Sequence, residues 1–327
     1  NIDWALSRDR FWGTPLNVWI CDTCEHTRAI ESVAELTQLS GVEEIADLHK
    51  PYIDEVTFTC PECNGSMSRV EEVIDCWFDS GSMPYAQMHY PFNTDVHFDT
   101  VFPADFISEG VDQTRGWFYS LLAISTMISG RSSYKACISN ELILDDQGRK
   151  MSKSRGNAVE PFQILNDEGA DPLRWYLLTV SPPWVPTRFN REGVSEVKRK
   201  FFGTLENVYS FFVMYANIDE FSYDNPIPVE ERPEIDRWLL SCLNSLVERI
   251  SQLVARYDVT KAGRAIQNFV NDDLSNWYIR RNRRRFWKAD MGTGKRAAYQ
   301  TLYEAIITLA KLIAPFSPFL AEDIYCN

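Results

Sequence analysis

No stretch of this chain reaches the roughly eighteen uninterrupted apolar residues that a membrane-crossing helix requires, so no transmembrane helix is expected. The N-terminus lacks a basic-then-apolar leader, and a secretion signal is not expected either. Internal repeats and low-complexity tracts are absent. Positive charge is in deficit: 33 Lys and Arg face 46 Asp and Glu, a net charge of −13, which argues against a protein that coats nucleic acid by bulk electrostatics. Core material, by contrast, is plentiful. With 45% hydrophobic residues, including ten Trp, nineteen Phe and fourteen Tyr, 327 residues can fill about two domains. The chain starts at Asn1 without an initiating Met and stops at Asn327 inside an apparent helix, so an excised piece of something longer is expected.

The eight cysteines fall into two groups. Cys21 and Cys24 form one C-x-x-C pair, Cys60 and Cys63 another, each beside turn formers: Asp22 and Thr23 in the first, Pro61, Asn64 and Gly65 in the second. Two such pairs have the spacing of a tetrahedral four-thiolate zinc site. The alternative is two disulfides or a redox C-x-x-C. A redox motif needs no second pair, however, and a chain without a secretion signal is expected to stay reduced. The segment between the pairs must contain its own elements, with Ser32–Leu39 reading as a short helix. Cys76, Cys137, Cys242 and Cys326 stand singly in apolar surroundings and are expected to be buried packing residues.

From Val73 to about Val180 the pattern is α/β alternation: a strand over Phe102–Ser108, an amphipathic helix over Trp117–Ile128 closed by Gly130, and a strand over Ala136–Leu144. A further helix is expected with Asp171 as cap and Pro172 at its first position, ending near Thr179 before Ser181-Pro182-Pro183. Beyond Arg191 the chain turns helical. Val194, Val197, Phe201, Leu205, Val208 and Phe212 mark one face, Pro226, Pro228 and Pro233 a linker, and Ile235–Arg256, Val259–Lys288 and Lys295–Ile313 three long helices of a bundle.

The stretch Lys150-Met151-Ser152-Lys153-Ser154 follows a strand and a Gly148 turn. It sets two ammonium groups and two hydroxyls on a flexible tether, suited to a polyphosphate that moves as it reacts, although a solvated Lys/Ser loop is the plainer reading. Open α/β sheets place chemistry at the carboxyl ends of strands, where Ser108-Glu109-Gly110-Val111-Asp112-Gln113 falls. Two carboxylates and an amide around a glycine suit a ligand bearing an ammonium, a ribose and a carbonyl; alternatively Asp112 caps a helix starting near Gln113. Trp77 and Trp117 are either core aromatics or walls of a pocket. Arg280, Arg281, Arg283, Arg284, Arg285 and Lys288 crowd one helical stretch, interleaved with Trp277, Tyr278, Phe286 and Trp287. Such a face binds an anionic backbone, unless Asp272, Asp273 and Asp290 neutralise it internally.

Glu109-Gly110-Val111-Asp112-Gln113-Thr114-Arg115-Gly116-Trp117-Phe118-Tyr119, followed by the Lys150–Ser154 pentapeptide, resembles the second half of the catalytic domain of the isoleucyl-tRNA synthetase family, among the class I aminoacyl-tRNA synthetases. Ser7-Arg8-Asp9-Arg10-Phe11-Trp12-Gly13-Thr14-Pro15, Asp75-Cys76-Trp77-Phe78-Asp79-Ser80-Gly81 and Leu274-Ser275-Asn276-Trp277-Tyr278-Ile279-Arg280-Arg281 resemble it too, so the likeness covers nearly the whole chain. It implies adenylation of isoleucine by ATP with Mg²⁺ and transfer to tRNA(Ile). Glu109 with Gly110 would hold the adenylate, Asp112 its ribose, Gln113 the aminoacyl part, and Trp77 with Trp117 the isoleucine side chain. Lys150, Ser152, Lys153 and Ser154 would serve the phosphates, and Arg280, Arg281, Arg284 and Lys288 the tRNA. The implied fold is half of a Rossmann-like α/β catalytic domain (1–20 and 73–180) with a zinc-binding insertion (21–72). A connecting stem (181–232) and a truncated all-α anticodon-binding bundle (233–327) follow. A monomeric cytoplasmic enzyme is implied. Two departures from the family's pattern stand out: the four histidines His26, His49, His89 and His97 form no His-x-Gly-His, and no editing insertion precedes Ser7. The piece alone is therefore expected to be inactive. A non-catalytic zinc-stabilised tRNA-binding module and a valyl-tRNA synthetase are the alternative functions.

Overall fold

Alternating exposure makes Val18–Cys21 a strand with Trp19 and Cys21 turned inward, in the computed structural model, which describes residues 3–93, 95 and 97–327. It is a central strand of a four-stranded antiparallel sheet in the order Thr27–Ala29, Val18–Cys21, Ser66–Arg69, Phe58–Thr59. The short helix expected at 32–39 is present as Val33–Ser40. Ser32 caps it by accepting the Glu35 N–H, and Gly41 ends it at φ 72, a left-handed turn that favours glycine. Trp19, Ile30, Leu36, Ile53, Phe58 and Met67 pack between helix and sheet, and the Trp19 indole donates to the Val56 carbonyl at 2.8 Å.

Arg69 closes the base of this module. Its buried guanidinium pairs with Asp54 and donates to the carbonyls of Leu16, at 3.1 Å, and Glu72, at 2.9 Å. The Leu16 N–H also donates to Glu72, so the chain enters and leaves at one point. The flanking strands Ser7–Arg8 and Val73–Ile74 then pair antiparallel.

The chain divides into two compact units, Asn1–Ser139 and Asn140–Asn327. The rest of the first unit is built on two packed helices, Cys76–Ala86 and Trp117–Ser129. Gly81 permits their close approach: a Cβ there would stand 2.8 Å from Ile124 Cδ1 and 2.9 Å from the Ser120 backbone. The second helix ends at Gly130 as its sequence suggests. The strand expected over 102–108 lies later, at Ile107–Gly110, because Phe98–Val101 is a helical turn and Pro103 has no N–H to give a ladder. Its neighbour is Cys137–Asn140, and the expected strand 136–144 is split, with Ile143–Leu144 pairing in parallel with Thr187–Arg188 instead.

In the second unit, helix Pro161–Glu168, which the sequence pattern does not announce, precedes Ala170–Thr179. Asp171 is therefore not a cap: Gly169, at φ 98, holds that position, and the buried Asp171 carboxylate accepts the Leu320 N–H at 2.8 Å and pairs with Arg174. Arg191–Val197, a π-turn over Lys198–Phe202 and Gly203–Ile218 form one continuous helical run. Glu234–Val254, Thr293–Ile313 and Pro318–Cys326 complete a bundle with the helical stretch from Val259. That stretch is not uniform, since Val259–Asn268 and Arg280–Phe286 are α-helical while Phe269–Ile279 between them is wound as a π-helix. Trp175, Phe201, Leu239, Ile266, Leu274, Tyr299 and Leu302 are core residues. Among the described residues, no helix is long and apolar enough to cross a membrane.

Candidate functional site

Four places carry the candidate residues. The first is the cysteine quartet, whose sulfurs all lie within 4.8 Å of one another, with Cys21 to Cys63 at 3.4 Å and Cys24 to Cys60 at 3.7 Å. All eight cysteines are free thiols, so neither pair is a disulfide. A tetrahedral ion with Zn–S bonds of about 2.3 Å sets its sulfurs about 3.8 Å apart, close to this spacing. Each knuckle directs a backbone N–H at a sulfur, Thr23 at Cys21 and Gly65 at Cys63, both at 3.4 Å. Gly65 is confined because a Cβ would stand 2.6 Å from Thr23 Oγ1. The N–H groups of Cys24 and Thr23 draw the Cys21 thiol down to about 6. At Cys24 the His26 N–H acts in the same direction, but the Cys63 sulfur and burial prevail and push that thiol up to about 12. Four crowded sulfurs cannot all ionise without a cation among them, and the quartet can hold a metal ion. The lone cysteines do not follow expectation: Cys76, Cys137 and Cys326 are exposed and Cys242 half-buried. Apolar neighbours in sequence do not fix which way one side chain of a helix or strand points.

The second place lies where strand Ile107–Gly110 runs into the tight turn Val111–Arg115. Asp112 does not cap the following helix. Gln113 does, its Oε1 accepting the Trp117 N–H at 2.9 Å while its Nε2 leans toward Asp112 Oδ2 at 3.4 Å. This bonding fixes which end of the amide faces which neighbour. Gly110 lies against the carboxylate, 2.6 Å separating a built Cβ from Asp112 Oδ1. Gly116 lies under Trp77, where a Cβ would meet Cη2 at 2.9 Å and Gln113 Oε1 at 2.7 Å. Trp77 is 41% exposed and so is no core residue. Trp117 is half-buried, its indole donating to Ser80 O at 3.1 Å. Trp77, Gly110, Asp112, Gln113 and Trp117 thus share one locality, with Glu109 exposed on the strand leading into it. Next to Trp77 lies a cavity of about 230 Å³ lined by Arg8, Arg10, Trp12, Asp75 and Asp79. Burial, the larger effect, outweighs the Thr14 hydroxyl bond and raises Asp79 above the usual carboxylate range. Asp75 caps helix Cys76–Ala86 and pairs with Arg8.

The third place is the loop after Ile143–Leu144. Lys150 and Lys153 are exposed, and neither is in an ion pair among the described residues. The Ser152 and Ser154 hydroxyls lie 3.3 Å apart. Beneath them Asp145 is buried and held well ionised, at about 2, by the Asn157 amide first and the Arg149 N–H next. Neither Asp145 nor Asn157 stands out in the sequence.

The fourth place is the basic stretch. Arg280, Arg281, Arg283, Arg284 and Lys288 are exposed, and the Arg281 guanidinium stacks 4.5 Å from the ring centre of Trp277, itself 48% exposed. Asp272, Asp273 and Asp290 form no ion pair with them among the described residues, which removes the internal-neutralisation alternative. Arg285 points the other way, into the bundle, and grips the fully buried Asp236 through two bonds of 2.7 and 2.6 Å.

Residues 1–187 match the family described as tRNA synthetases class I (I, L, M and V), and residues 236–327 match the anticodon-binding domain of tRNA ligase. The chain belongs to the class I tRNA synthetases of that group. Similar curated proteins include the isoleucine–tRNA ligase of Clostridium acetobutylicum, 53% identical over 99% of this chain and 31% of the relative. Those of Bacillus thuringiensis (strain Al Hakam) and Dehalococcoides mccartyi (strain CBDB1) are 52% and 51% identical over the whole chain and 32% and 33% of their own lengths. The chain thus spans about a third of the curated relatives it matches. Among solved structures, a LeuRS–tRNA–LeuAMS ternary complex from Agrobacterium radiobacter K84 superposes with a TM-score of 0.72 at 22% identity, over 99% of this chain and 40% of that one. Mycobacterium tuberculosis methionyl-tRNA synthetase with methionyl-adenylate gives 0.65 at 22% identity, over 82% and 51%. These two establish the shared fold.

Proposed function

We propose that this chain is part of an isoleucine–tRNA ligase, which joins isoleucine to ATP as isoleucyl adenylate, releases pyrophosphate and passes the acyl group to tRNA(Ile). The observation that carries the reading is the identity of 51–53% to ligases of that name along the whole chain. The domain reading is half of a Rossmann-like catalytic domain at 1–20 and 73–180, a zinc module at 21–72, a stem at 181–232 and an anticodon-binding bundle from 233.

Chemistry follows from the residues. Nucleotidyl transfer to a carboxylate is limited by positioning and by charge on the phosphates rather than by covalent help. Lys150 and Lys153, exposed to solvent, neutralise charge as it moves toward pyrophosphate, and Ser152 and Ser154 donate to phosphate oxygens. Mg²⁺ accompanies ATP, bound largely through those oxygens. Glu109 and Gly110 hold the adenylate, Gly110 lying against the Asp112 carboxylate, and Asp112 accepts from the ribose. Gln113, its amide oriented by the Trp117 N–H, faces the aminoacyl part, and Trp77 and Trp117 bound the branched side chain. Cys21, Cys24, Cys60 and Cys63 hold a structural zinc, which ties the two knuckles of the module together. Arg280, Arg281, Arg284 and Lys288 meet the tRNA backbone, with the Arg281–Trp277 stack holding one guanidinium outward.

The test is amino-acid-dependent exchange of label between pyrophosphate and ATP by the full-length protein. Exchange driven by isoleucine, and more weakly by valine because one methylene is worth about 1–3 kcal/mol, is expected. No exchange with any amino acid would leave only a zinc-stabilised tRNA-binding role, and preference for valine would reassign the substrate.

A further inference from the structure

A loop that must present two ammonium groups to a moving polyphosphate needs a base that does not move with it. In this chain the base is Asn157, which lies past the end of the Lys150–Ser154 pentapeptide. The turn Lys153–Arg155 and Gly156, at φ 66, reverse the chain so that Asn157 faces back across the loop. Its Oδ1 accepts the Ser152 N–H at 2.9 Å, and its Nδ2 donates to the Lys150 carbonyl at 3.2 Å. One amide therefore grips the backbone on both sides of Met151. The same Nδ2 donates to Asp145 Oδ2 at 2.9 Å. Asp145 is buried and takes the Arg149 backbone N–H at 2.7 Å, Arg149 Nε at 2.9 Å and the Gln147 N–H at 3.1 Å. Met151 packs on the apolar cluster of Ile164, Tyr176, Phe189 and Val194, at the edge of a cavity of about 230 Å³. The base is thus fixed by one buried carboxylate, one amide and one thioether, while the lysine heads remain in solvent.

We infer that Asn157, anchored by Asp145, is a positioning residue for nucleotidyl transfer, setting the backbone of Lys150 and Ser152 so that the lysines meet the phosphates in the transition state. This rests on the reading of the loop as the polyphosphate site. A residue acting this way lowers turnover when removed and leaves the amino acid's own affinity alone, because its contribution appears only when the loop engages the phosphates. Without the clamp each lysine must be ordered during the reaction, and the loss falls on the rate.

The test uses pyrophosphate exchange by the full-length enzyme. Asn157→Ala is expected to lower the maximal exchange rate at least tenfold with the KM for isoleucine unchanged within twofold. Asn157→Asp alone should fare no better, since it sets a second carboxylate against Asp145. Asp145→Asn keeps the Asn157 side chain but removes the carboxylate that anchors it, and should lower the maximal rate in the same direction with the KM for isoleucine again unchanged within twofold. Lys153→Ala, run alongside, separates the two readings. If it leaves exchange intact, the loop is not the polyphosphate site. If it lowers exchange while Asn157→Ala does not, only the positioning role is refuted. An equal rise in isoleucine KM, or an Asp145→Asn variant with an unchanged rate, would also refute it, assigning Asn157 to general folding.

Discussion

Removing one arginine from the basic stretch should destabilise the bundle strongly, whereas removing its neighbour should not. Arg285→Ala would leave Asp236, which has no solvent exposure, with the Tyr278 hydroxyl at 2.7 Å as its remaining side-chain partner among the described residues. Gone with the two guanidinium bonds would be the bridges that Arg285 makes to the Gly294 carbonyl and to Asn282. Orphaning one member of a buried ion pair costs about 3–5 kcal/mol, because the remaining charge has no water to turn to. For a unit of this size, that corresponds to a melting-temperature drop of roughly 6–20 °C. Arg284→Ala removes an exposed cation with no ion pair among the described residues and should change stability by less than about 0.5 kcal/mol. The tRNA assay should rank them in reverse. Arg281→Ala with Arg284→Ala should weaken tRNA binding and flatten its salt dependence by about one unit for each phosphate left without its cation, with pyrophosphate exchange untouched. Thermal melts and a salt titration of tRNA binding read the two effects separately. If Arg285→Ala melts within about 1 kcal/mol of the parent, or if Arg284→Ala is the destabilised one, the division of this helix into an inward and an outward face is wrong.

Elemental analysis of reduced protein should find about one zinc per chain, and Cys60→Ser should lose it and loosen the module. Thiolates bind the metal and thiols do not, so protons compete with the metal and affinity should fall as pH drops; pH-independent retention would contradict a thiolate site. Gly81→Ala should cost about 1–3 kcal/mol by forcing the Ser120 backbone and Ile124 away, checked by denaturant melts; a neutral substitution would mean the two helices adjust freely.

Features written locally were legible in the sequence. The paired C-x-x-C knuckles, the capped helix at Val33–Ser40, the Gly130 stop and the Lys/Ser loop each announce themselves within a few residues. Features decided by distant partners were not. Asp171 looks like a cap beside Pro172, yet its carboxylate is claimed by Leu320, far along the chain. Arg285 looks like one more cation of a basic face, but its neighbours Tyr278, Asn282 and Phe286 are buried, and it turns inward with them. The π-wound stretch Phe269–Ile279 shifts the phase of that helix in a way a 3.6-residue template does not anticipate. Asn157 is hidden because an asparagine beside a glycine reads as turn material. Its work becomes visible once the loop closes over Asp145.

The neck drawn shut by Arg69 sets how the cysteine module communicates with what carries it. Leu16 and Glu72 are joined backbone to backbone and fastened by one buried guanidinium, so Ser7–Arg8 and Val73–Ile74 receive the chain as though nothing intervened. Closing that gap costs chain entropy that grows only with the logarithm of what hangs beyond it. The intervening residues could therefore lengthen, shorten or exchange one cysteine knuckle for another without displacing the strands on either side, provided the gate stays fastened. Arg69 fastens this gate together with the Leu16–Glu72 and Thr14–Ile74 backbone bonds, so losing the guanidinium would loosen the module's mounting without releasing it.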